Sequence, residues 1–255
     1  MNSEAVLPFV SNGCLTWTMT TNGYKYYTLN LIMSLRRANV PWDLCVICCD
    51  YESFMFFRRE AIPCVEYEIE DNRGQTNVAF FGTNEFAKWN KKKLELLKWF
   101  ADGGAGSAST LYLDGDIFIQ RDPWPVLKEE FSSKGEDLLF QCDCVGDENH
   151  EGCGAICSGV IAMRQPSPQF SELYAFDEGE WAAADRQDQE YIRRRIKSLG
   201  IPFRTLRREL WGNGHWQMGM KWKGDPMWVL LHYNYRVGGT KKGAMRKFGH
   251  WILPY

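Results

Sequence analysis

Asp114 and Asp116, two carboxylates separated by one glycine, are the residues of this 255-residue chain whose spacing points most directly to chemistry. They lie between two apolar runs, 111–113 and 117–119, that predict buried strands. The glycine lets the backbone bend, so both side chains can reach one point. Two acids held this close repel each other unless a cation lies between them. The pattern predicts a site for Mg²⁺ or Mn²⁺, with an acidic surface turn as the alternative.

The composition excludes some classes of protein. The net charge of −2, with Lys and Arg spread along the chain, argues against a nucleic-acid partner. No segment approaches the roughly 18 to 20 apolar residues that span a bilayer. The first six residues lack the basic start and apolar core of a signal peptide. We therefore expect a soluble, cytoplasmic protein without a membrane span.

The nine cysteines are expected to be reduced thiols, several of them inside apolar runs. One group has the residue types of a zinc site, but its spacing does not match the common paired C-x2-C pattern. The group comprises Cys142, Cys144, His150, Cys153 and Cys157. We interpret its cysteines as buried, apolar side chains rather than metal ligands.

Strand and helix patterns alternate through the first half of the chain. Strands are predicted at 14–20, 44–49, 64–68 and 111–113, and helices at 24–38, 52–60 and 86–100. This alternation predicts a parallel sheet with helices on both faces. Beyond residue 120, the patterns predict strands at 137–141 and 155–163 and helices at 123–131, 170–176 and 187–199. No break in composition requires a second domain.

Polar residues follow three of the predicted strands. Asn22, Asp50 and Asp114 each come after an apolar run. In sheets of this kind, ligands bind outside the carboxyl ends of the strands, near the point where the strand order reverses. We therefore expect these three segments to converge on one site.

Six segments, in order along the chain, carry a resemblance to a known family. They are Thr20-Thr-Asn-Gly-Tyr with 29–35, Leu111-Tyr-Leu-Asp-Gly-Asp-Ile-Phe-Ile-Gln-Arg-Asp-Pro, Cys157-Ser-Gly-Val-Ile-Ala-Met, Asp188-Gln189, Arg208-Glu-Leu-Trp-Gly-Asn-Gly and 232–242. Together they resemble metal-dependent nucleotide-sugar glycosyltransferases of the GT-A fold with an Asp-x-Asp motif. More narrowly, the chain resembles the nucleotide-diphospho-sugar transferases that include plant-type xylosyl- and galactosyltransferases. Because we expect no membrane anchor, the chain departs from the Golgi members of the family. In this respect it resembles the compact, soluble transferases of large algal viruses or bacteria.

The resemblance implies a fold and a reaction. The fold would be a single α/β GT-A domain over 1–255, Rossmann-like, with a mixed, mostly parallel sheet flanked by helices. Residues 1–120 would form its nucleotide-binding half and 121–255 its acceptor and metal-closing half. The reaction would move a sugar from a UDP-sugar donor to a glycan acceptor hydroxyl, with xylose favoured and galactose next, using Mn²⁺ or Mg²⁺.

The resemblance also implies the metal ligands. Asp116 would bind the metal directly, and Asp114 would bind it or contact the ribose. His232 matches the late histidine of the family and is the expected third ligand. Without the resemblance, a lone histidine beside apolar residues is more often a hydrogen-bonded core residue. Cys157 departs from the family pattern, which has an asparagine at that position.

Further residues are expected to bind the donor. Thr20, Thr21, Asn22 and Gly23 would hold the nucleoside, although an ordinary turn explains them equally well. Asp50, or alternatively the ring of Tyr51, would assist them, and Lys93 would reach the donor phosphates as a point charge. Lys241 or Lys242, with Gly238 and Gly239, would close over the diphosphate. The matched segments add Ser158, Gly159 and Gln189 to the expected binding residues.

Two carboxylates are candidates for catalysis. If the anomeric centre inverts, a base must take the proton of the acceptor hydroxyl. Asp188 is the first choice, with a helix-terminal carboxylate as the alternative, and Asp143 is the second choice. If configuration is retained, no dedicated base is needed, and the sequence leaves both outcomes open.

The loop 211–216 is expected to contact acceptor sugars or to close over the donor, through Trp211 and His215. Alternatively, its rings cover the sheet.

Two other functions are also consistent with the sequence. One is a nucleotidyltransferase or nucleotide-sugar pyrophosphatase, although the expected Gly-rich phosphate loop is missing. The other is a catalytically inactive, carbohydrate-binding GT-A domain.

Overall fold

A central seven-stranded sheet organises the molecule. The computed structural model describes residues 1–70, 79, 82–144, 154–164, 166–215, 227–236 and 238–254. Ten strands fall within these residues: β1 Cys14–Thr20, β2 Cys45–Asp50, β3 Cys64–Glu70, β4 Ser109–Leu113, β5 Ile117–Ile119, β6 Leu138–Cys142, β7 Ile156–Arg164, β8 Arg204–Leu206, β9 Trp211–Gly212 and β10 Leu230–His232. The strand order in the large sheet is β3-β2-β1-β4-β7-β6-β8.

The helices pack on this sheet. In the described part of the chain they are α1 Ser3–Val6, α2 Lys25–Arg37, α3 Tyr51–Arg59, α4 Asn84–Ala101, α5 Pro123–Lys134, α6 Pro168–Tyr174, α7 Glu178–Ala183, α8 Asp188–Leu199 and α9 Gly239–Lys247. Several begin at a side chain that accepts a hydrogen bond from a backbone N–H of the first turn, such as Thr83 for α4 and Ser167 for α6. The element types predicted over the first 120 residues are confirmed, with ends that differ by up to two residues.

One strand of the large sheet runs against the others. β7 is antiparallel to both β4 and β6, while β1, β2, β3 and β4 are mutually parallel. The predicted mixed, mostly parallel sheet is therefore confirmed. From β1 the chain builds outward through β2 and β3, and then returns to place β4 on the other side of β1. The strand order thus reverses between β1 and β4, where a ligand crevice is expected.

A second, three-stranded sheet has the order β5-β10-β9, and its strand β5 follows β4 directly after the carboxylate turn. β10 pairs antiparallel with β5, which places His232 opposite Ile117. The N–H of Tyr233 also donates to the carbonyl of Asp116 at 3.1 Å. This small sheet therefore brings a residue from the end of the chain beside the carboxylate turn.

Apolar side chains form a core on each face of the large sheet. Along β4, Leu111 and Leu113 face one core and Tyr112 faces the other, as the period of a strand requires. Trp17 anchors the second core, with ring centroids 4.3 Å from Phe100 and 4.6 Å from Tyr112. Because the sheet is covered on both faces, its strands read as continuous apolar runs.

Two other expectations can be compared with the fold. None of the helices in the described residues has the length and apolarity to cross a membrane.

The expectation that all cysteines are reduced is wrong at Cys144, which is disulfide-bonded. Among the cysteines that the structure describes, seven are free thiols, including Cys142 and Cys157. Of the group with zinc-like residue types, His150 and Cys153 lie outside the described residues.

Candidate active site

The paired carboxylates lie in the turn between β4 and β5. Asp116 is buried, with 4% of its side chain exposed, whereas 32% of the Asp114 side chain is exposed. The N–H of Asp114 donates to the carbonyl of Gly159 at 2.8 Å. A Cβ on Gly115 would lie 2.7 Å from the hydroxyl oxygen of Thr28, so a side chain at this position would force that buried hydroxyl to move. Close packing on α2 and β7 therefore fixes the turn.

His232 completes a three-residue cluster with the carboxylates. Its Nε2 lies 3.3 Å from Oδ1 of Asp116 and 3.7 Å from Oδ2 of Asp114. One ligand atom from each of the three residues lies within 4.8 Å of the others. A Cβ on Gly159 would collide with the His232 ring, which explains the glycine in this segment. Two carboxylate oxygens and an imidazole nitrogen suit Mn²⁺ or Mg²⁺, so these residues fit the implied cation.

Positive charges balance Asp116 from two sides. The ammonium of Lys241, in the first turn of α9, lies 2.5 Å from Oδ2 of Asp116. Burial alone would raise the pKa of Asp116, but the charges of Lys241 and His232 lower it far below its ordinary value. Burial likewise would lower the pKa values of Lys241 and His232, and the charge of Asp116 raises both. Asp116 is therefore ionised between two cationic groups.

A second buried ion pair lies on the other side of Asp114. The ammonium of Lys93, on α4, lies 2.8 Å from Oδ2 of Asp188 and 3.5 Å from Oδ1 of Asp114. It also lies 3.4 Å from the hydroxyl oxygen of Ser158. Burial would lower the pKa of Lys93, but the charges of Asp114 and Asp188 raise it. Lys93 therefore stays charged and links the carboxylate turn to the start of α8.

Asp143 is held by neutral groups instead. The side-chain amide of Gln189 donates to Oδ2 of Asp143 at 3.0 Å, and that of Asn234 donates to Oδ1 at 3.1 Å. Oε1 of Gln189 accepts from the N–H of Ser158 at 3.2 Å. The segments predicted from the sequence to carry Asp143, Ser158 and Gln189 therefore meet in one hydrogen-bonded group.

The loop after β1 is braced by Asp50. One oxygen of Asp50 accepts from the N–H of Asn22 at 2.7 Å, and the other accepts from the N–H of Ser53, at the start of α3, at 2.8 Å. Thr20, at the end of β1, is buried and its hydroxyl lies 3.0 Å from that of Thr28. The three predicted segments thus converge at one edge, with Asp50 positioning the loop that carries Thr21, Asn22 and Gly23.

The predicted substrate-binding residues near the end of the chain lie in two kinds of environment, one buried and one partly exposed. Trp211 is fully buried in β9, which agrees with the interpretation that its ring covers the sheet. His215 is partly exposed and its ring centroid lies 3.9 Å from that of Tyr235. Gly238 precedes α9 and its carbonyl accepts from the hydroxyl of Tyr27 at 3.3 Å. Trp216, the last residue of the predicted acceptor loop, lies outside the described residues.

Sequence reasoning missed several residues that hold these groups in place. The hydroxyl of Tyr112 donates to Oδ1 of Asp114 at 2.5 Å. The side-chain oxygen of Gln141 lies 2.8 Å from Nδ1 of His232. Cys157, which the sequence had marked as a departure from the asparagine of the family, makes only a longer contact with the same nitrogen, 3.6 Å from its sulfur. A polar side chain inside an apolar strand run, such as Gln141, is a signal that was present in the sequence.

The comparisons with known proteins define the class. The sequence profile of the nucleotide-diphospho-sugar transferases matches residues 43–245. The chain therefore belongs to the nucleotide-diphospho-sugar transferase family, as the sequence motifs indicated. No curated protein sequence matches it.

Solved glycosyltransferase structures share the fold at low sequence identity. The glycosyltransferase GlyE of Streptococcus pneumoniae, in its apo form, is 13% identical with a TM-score of 0.60, covering 94% of this chain and 60% of that chain. A glycosyltransferase involved in glycosylation of the major capsid of PBCV-1 is 10% identical with a TM-score of 0.55, covering 92% and 98%. Mouse xyloside xylosyltransferase 1 is 14% identical with a TM-score of 0.52, covering 88% and 99%. The chain thus spans about 60% of the length of GlyE and nearly the whole of the other two, and its fold is that of GT-A glycosyltransferases.

Proposed function

We propose that this protein transfers a sugar from a UDP-sugar donor to a hydroxyl of a glycan acceptor, using Mn²⁺ or Mg²⁺. The observation that carries the proposal is the cluster of Asp114, Asp116 and His232, whose ligand atoms lie within 4.8 Å of one another at the point where the strand order reverses. Family membership supports a nucleotide-sugar donor. The preference for xylose, with galactose next, follows from the sequence resemblance.

The three clustered residues hold the cation in this proposal. When bound, the cation would neutralise the charge that develops on the departing diphosphate. Lys241 supports the same end of the site, since its ammonium already compensates Asp116. In the proposal, Lys241 turns from Asp116 toward the donor phosphates, and the N-terminal end of α9 with Gly238 covers them.

The nucleoside lies against the loop after β1. Thr20, Thr21, Asn22 and Gly23 line it, and Asp50 acts by holding the backbone of Asn22. Both side-chain oxygens of Asp50 accept from backbone N–H groups, so its contribution is to the shape of the loop. This arrangement supports a site for the base and ribose beside the carboxylate turn.

The donor sugar lies between Lys93 and Asp143. Asp188 is paired with the Lys93 ammonium, whereas Asp143 accepts hydrogen bonds from two side-chain amide groups. We propose Asp188 as the carboxylate beneath the sugar and Asp143 as the second candidate for a base. Ser158, Gly159 and Gln189 shape the floor of this pocket, and His215 contacts the acceptor.

A product assay tests the proposed function. The wild-type chain is incubated with Mn²⁺, an acceptor glycan mixture and UDP-xylose or UDP-galactose, and UDP release is measured. Metal-dependent UDP release supports the proposal. If Asp116→Asn abolishes UDP release and the surface control Asp102→Asn does not, the activity depends on the carboxylate cluster. Pyrophosphate release would favour a nucleotidyltransferase or pyrophosphatase. No release with any nucleotide sugar, together with retained glycan binding, would favour an inactive binding domain.

A further inference from the structure

Gln141 is a polar residue inside the buried strand β6, and none of its side chain is exposed. Its amide nitrogen lies 3.2 Å from the carbonyl oxygen of Trp211 and 2.9 Å from that of Gly212. Both neighbours are carbonyls, which only accept hydrogen bonds, so the NH₂ group of Gln141 must face them. The orientation of the side-chain amide is therefore fixed by the backbone of β9.

This orientation decides how His232 is protonated. The oxygen of Gln141 points the other way and lies 2.8 Å from Nδ1 of His232. A side-chain carbonyl oxygen can only accept, so Nδ1 must carry the hydrogen. The opposite nitrogen, Nε2, faces Oδ1 of Asp116 at 3.3 Å and Oδ2 of Asp114 at 3.7 Å. Nε2 is thus the nitrogen that faces the carboxylates, and a cation bound there would take the place of its proton.

We infer that Gln141 is a positioning residue of the metal site, which holds the His232 ring so that Nδ1 donates to Gln141 and Nε2 points at the two carboxylates. The inference rests on the proposed function, because it concerns the cation that the cluster would hold. Histidines that bind metals generally donate their other ring N–H to a fixed acceptor, and loss of that acceptor costs about 10- to 100-fold in metal affinity. Gln141 fills this role through backbone groups of β9, a strand of the second sheet.

Cys157 is the other neighbour of Nδ1. Its sulfur lies 3.6 Å away and accepts from the amide of Asn234 at 3.5 Å. Sulfur is a weak acceptor, and the Gln141 oxygen is 0.8 Å closer by these two distances. Cys157→Ala therefore serves as a control that removes a contact with the ring but leaves the hydrogen bond that sets it.

The test measures Mn²⁺ affinity in the full chain, from the electron paramagnetic resonance signal of the free ion. Gln141→Leu should weaken Mn²⁺ binding by about 10- to 100-fold. Gln141→Glu keeps an acceptor for Nδ1 but places a carboxylate against two carbonyls, so it should lower the melting temperature yet retain affinity within a few-fold of wild type. Cys157→Ala and Thr205→Val, a buried change on the neighbouring strand β8, should bind Mn²⁺ as wild type does.

A purely structural role of Gln141 predicts a different pattern, in which affinity follows stability and Gln141→Glu is at least as weak as Gln141→Leu. That pattern, or equal affinity in Gln141→Leu and wild type, would overturn the inference alone. Absence of Mn²⁺ and Mg²⁺ binding to the wild-type chain would overturn the proposed function as well.

A readout in the wild-type protein covers the case in which Gln141→Leu does not fold. In the Mg²⁺-loaded, ¹⁵N-histidine-labelled protein, the resonances lost in His232→Asn identify the ring of His232. The proton should reside on Nδ1, with Nε2 showing the shift of a coordinated nitrogen. A proton on Nε2 would contradict the inference.

Discussion

Two of the carboxylates of the site, Asp116 and Asp143, have different kinds of partners. Around Asp116, two cationic side chains, His232 and Lys241, approach from separate segments. Around Asp143, the partners are neutral amides of Gln189 and Asn234. A buried carboxylate between cations can exchange one positive partner for another, whereas a carboxylate between amides is fixed in orientation. In the proposed function, this difference suits the Asp116 end to a cation and the Asp143 end to sugar hydroxyls or an acceptor proton.

The largest expected effect separates these two ends. Asp116→Asn removes the charge that compensates His232 and Lys241, so Mn²⁺ affinity and kcat should each fall by about 10²- to 10³-fold. Asp143→Asn should lower kcat while Mn²⁺ affinity stays within a few-fold of wild type. Mn²⁺ titration and UDP release, measured on both variants, check this. Equal loss of Mn²⁺ affinity in the two variants would remove the distinction between the ends.

The pair of Lys93 and Asp188 sharpens the comparison, because its charges are buried against each other. Asp188→Leu alone should lower the free energy of unfolding by about 3–5 kcal/mol, since it leaves the Lys93 ammonium without its nearest partner. The double change Lys93→Met with Asp188→Leu should recover most of that stability. Denaturant unfolding measures both.

Activity distinguishes a structural from a functional role for this pair. The double variant should remain inactive in UDP release although its stability is recovered. Wild-type turnover in the stable double variant would show that the pair serves the fold alone.

Two buried histidines, His232 and His250, should change stability with pH in opposite directions. Burial, with a smaller contribution from Arg37, lowers the pKa of His250 to about 4 from its ordinary 6.5. Between these two pKa values, the unfolded chain binds more protons than the folded chain. The contribution of His250 to stability is therefore fully present above about pH 6.5 and is lost as the pH falls toward 4, by up to about 3 kcal/mol. The pKa of His232 is raised, so its contribution is present at low pH and is lost as pH rises.

A paired variant isolates the His250 contribution. The hydroxyl of Tyr233 lies 2.7 Å from Nδ1 of His250. The variant therefore combines His250→Leu with Tyr233→Phe, so that removal of the histidine does not leave a buried hydroxyl without a partner. The unfolding free energy of this variant should depend less on pH between 4 and 6.5 than that of wild type. An unchanged slope would show that His250 is not the group that titrates.

A smaller effect is expected at the hydroxyl of Tyr112. Tyr112→Phe removes its 2.5 Å hydrogen bond to Asp114, so Mn²⁺ affinity should fall by about 5- to 10-fold. Trp181→Phe, a buried aromatic change beside α8, is the matched control and should leave the affinity unchanged. A larger effect in the control than in Tyr112→Phe would argue against a direct role for the hydroxyl.

The sequence predicted the local elements and the converging edge because both depend on short-range patterns. Apolar runs marked β1, β2 and β4. Of the residues at the ends of these strands, Asn22 and Asp50 proved to be in contact, and Asp114 follows β4, the strand beside β1. The family motifs indicated His232, which periodicity alone assigns to a core. The reversal of strand order beside β1 then explains why these segments meet.

Contacts between distant segments could not be predicted in the same way. The hydrogen bond from His232 to Gln141 joins residues 91 positions apart and depends on the pairing of β6, β9 and β10. Likewise, the sequence left open whether Trp211 covers the sheet or contacts the acceptor, and its burial follows from its place in a two-residue strand that no sequence pattern marked. The disulfide at Cys144 was missed because cysteine count and spacing indicated reduced thiols.

The most direct measurement is calorimetric titration of UDP into the wild-type chain with and without Mn²⁺, repeated with Asp116→Asn. If the cluster holds a cation that binds the donor diphosphate, Mn²⁺ should tighten UDP binding at least 10-fold, UDP should tighten Mn²⁺ binding by the same factor, and both effects should vanish in Asp116→Asn. UDP binding that is equally tight without Mn²⁺ and in Asp116→Asn would contradict the account.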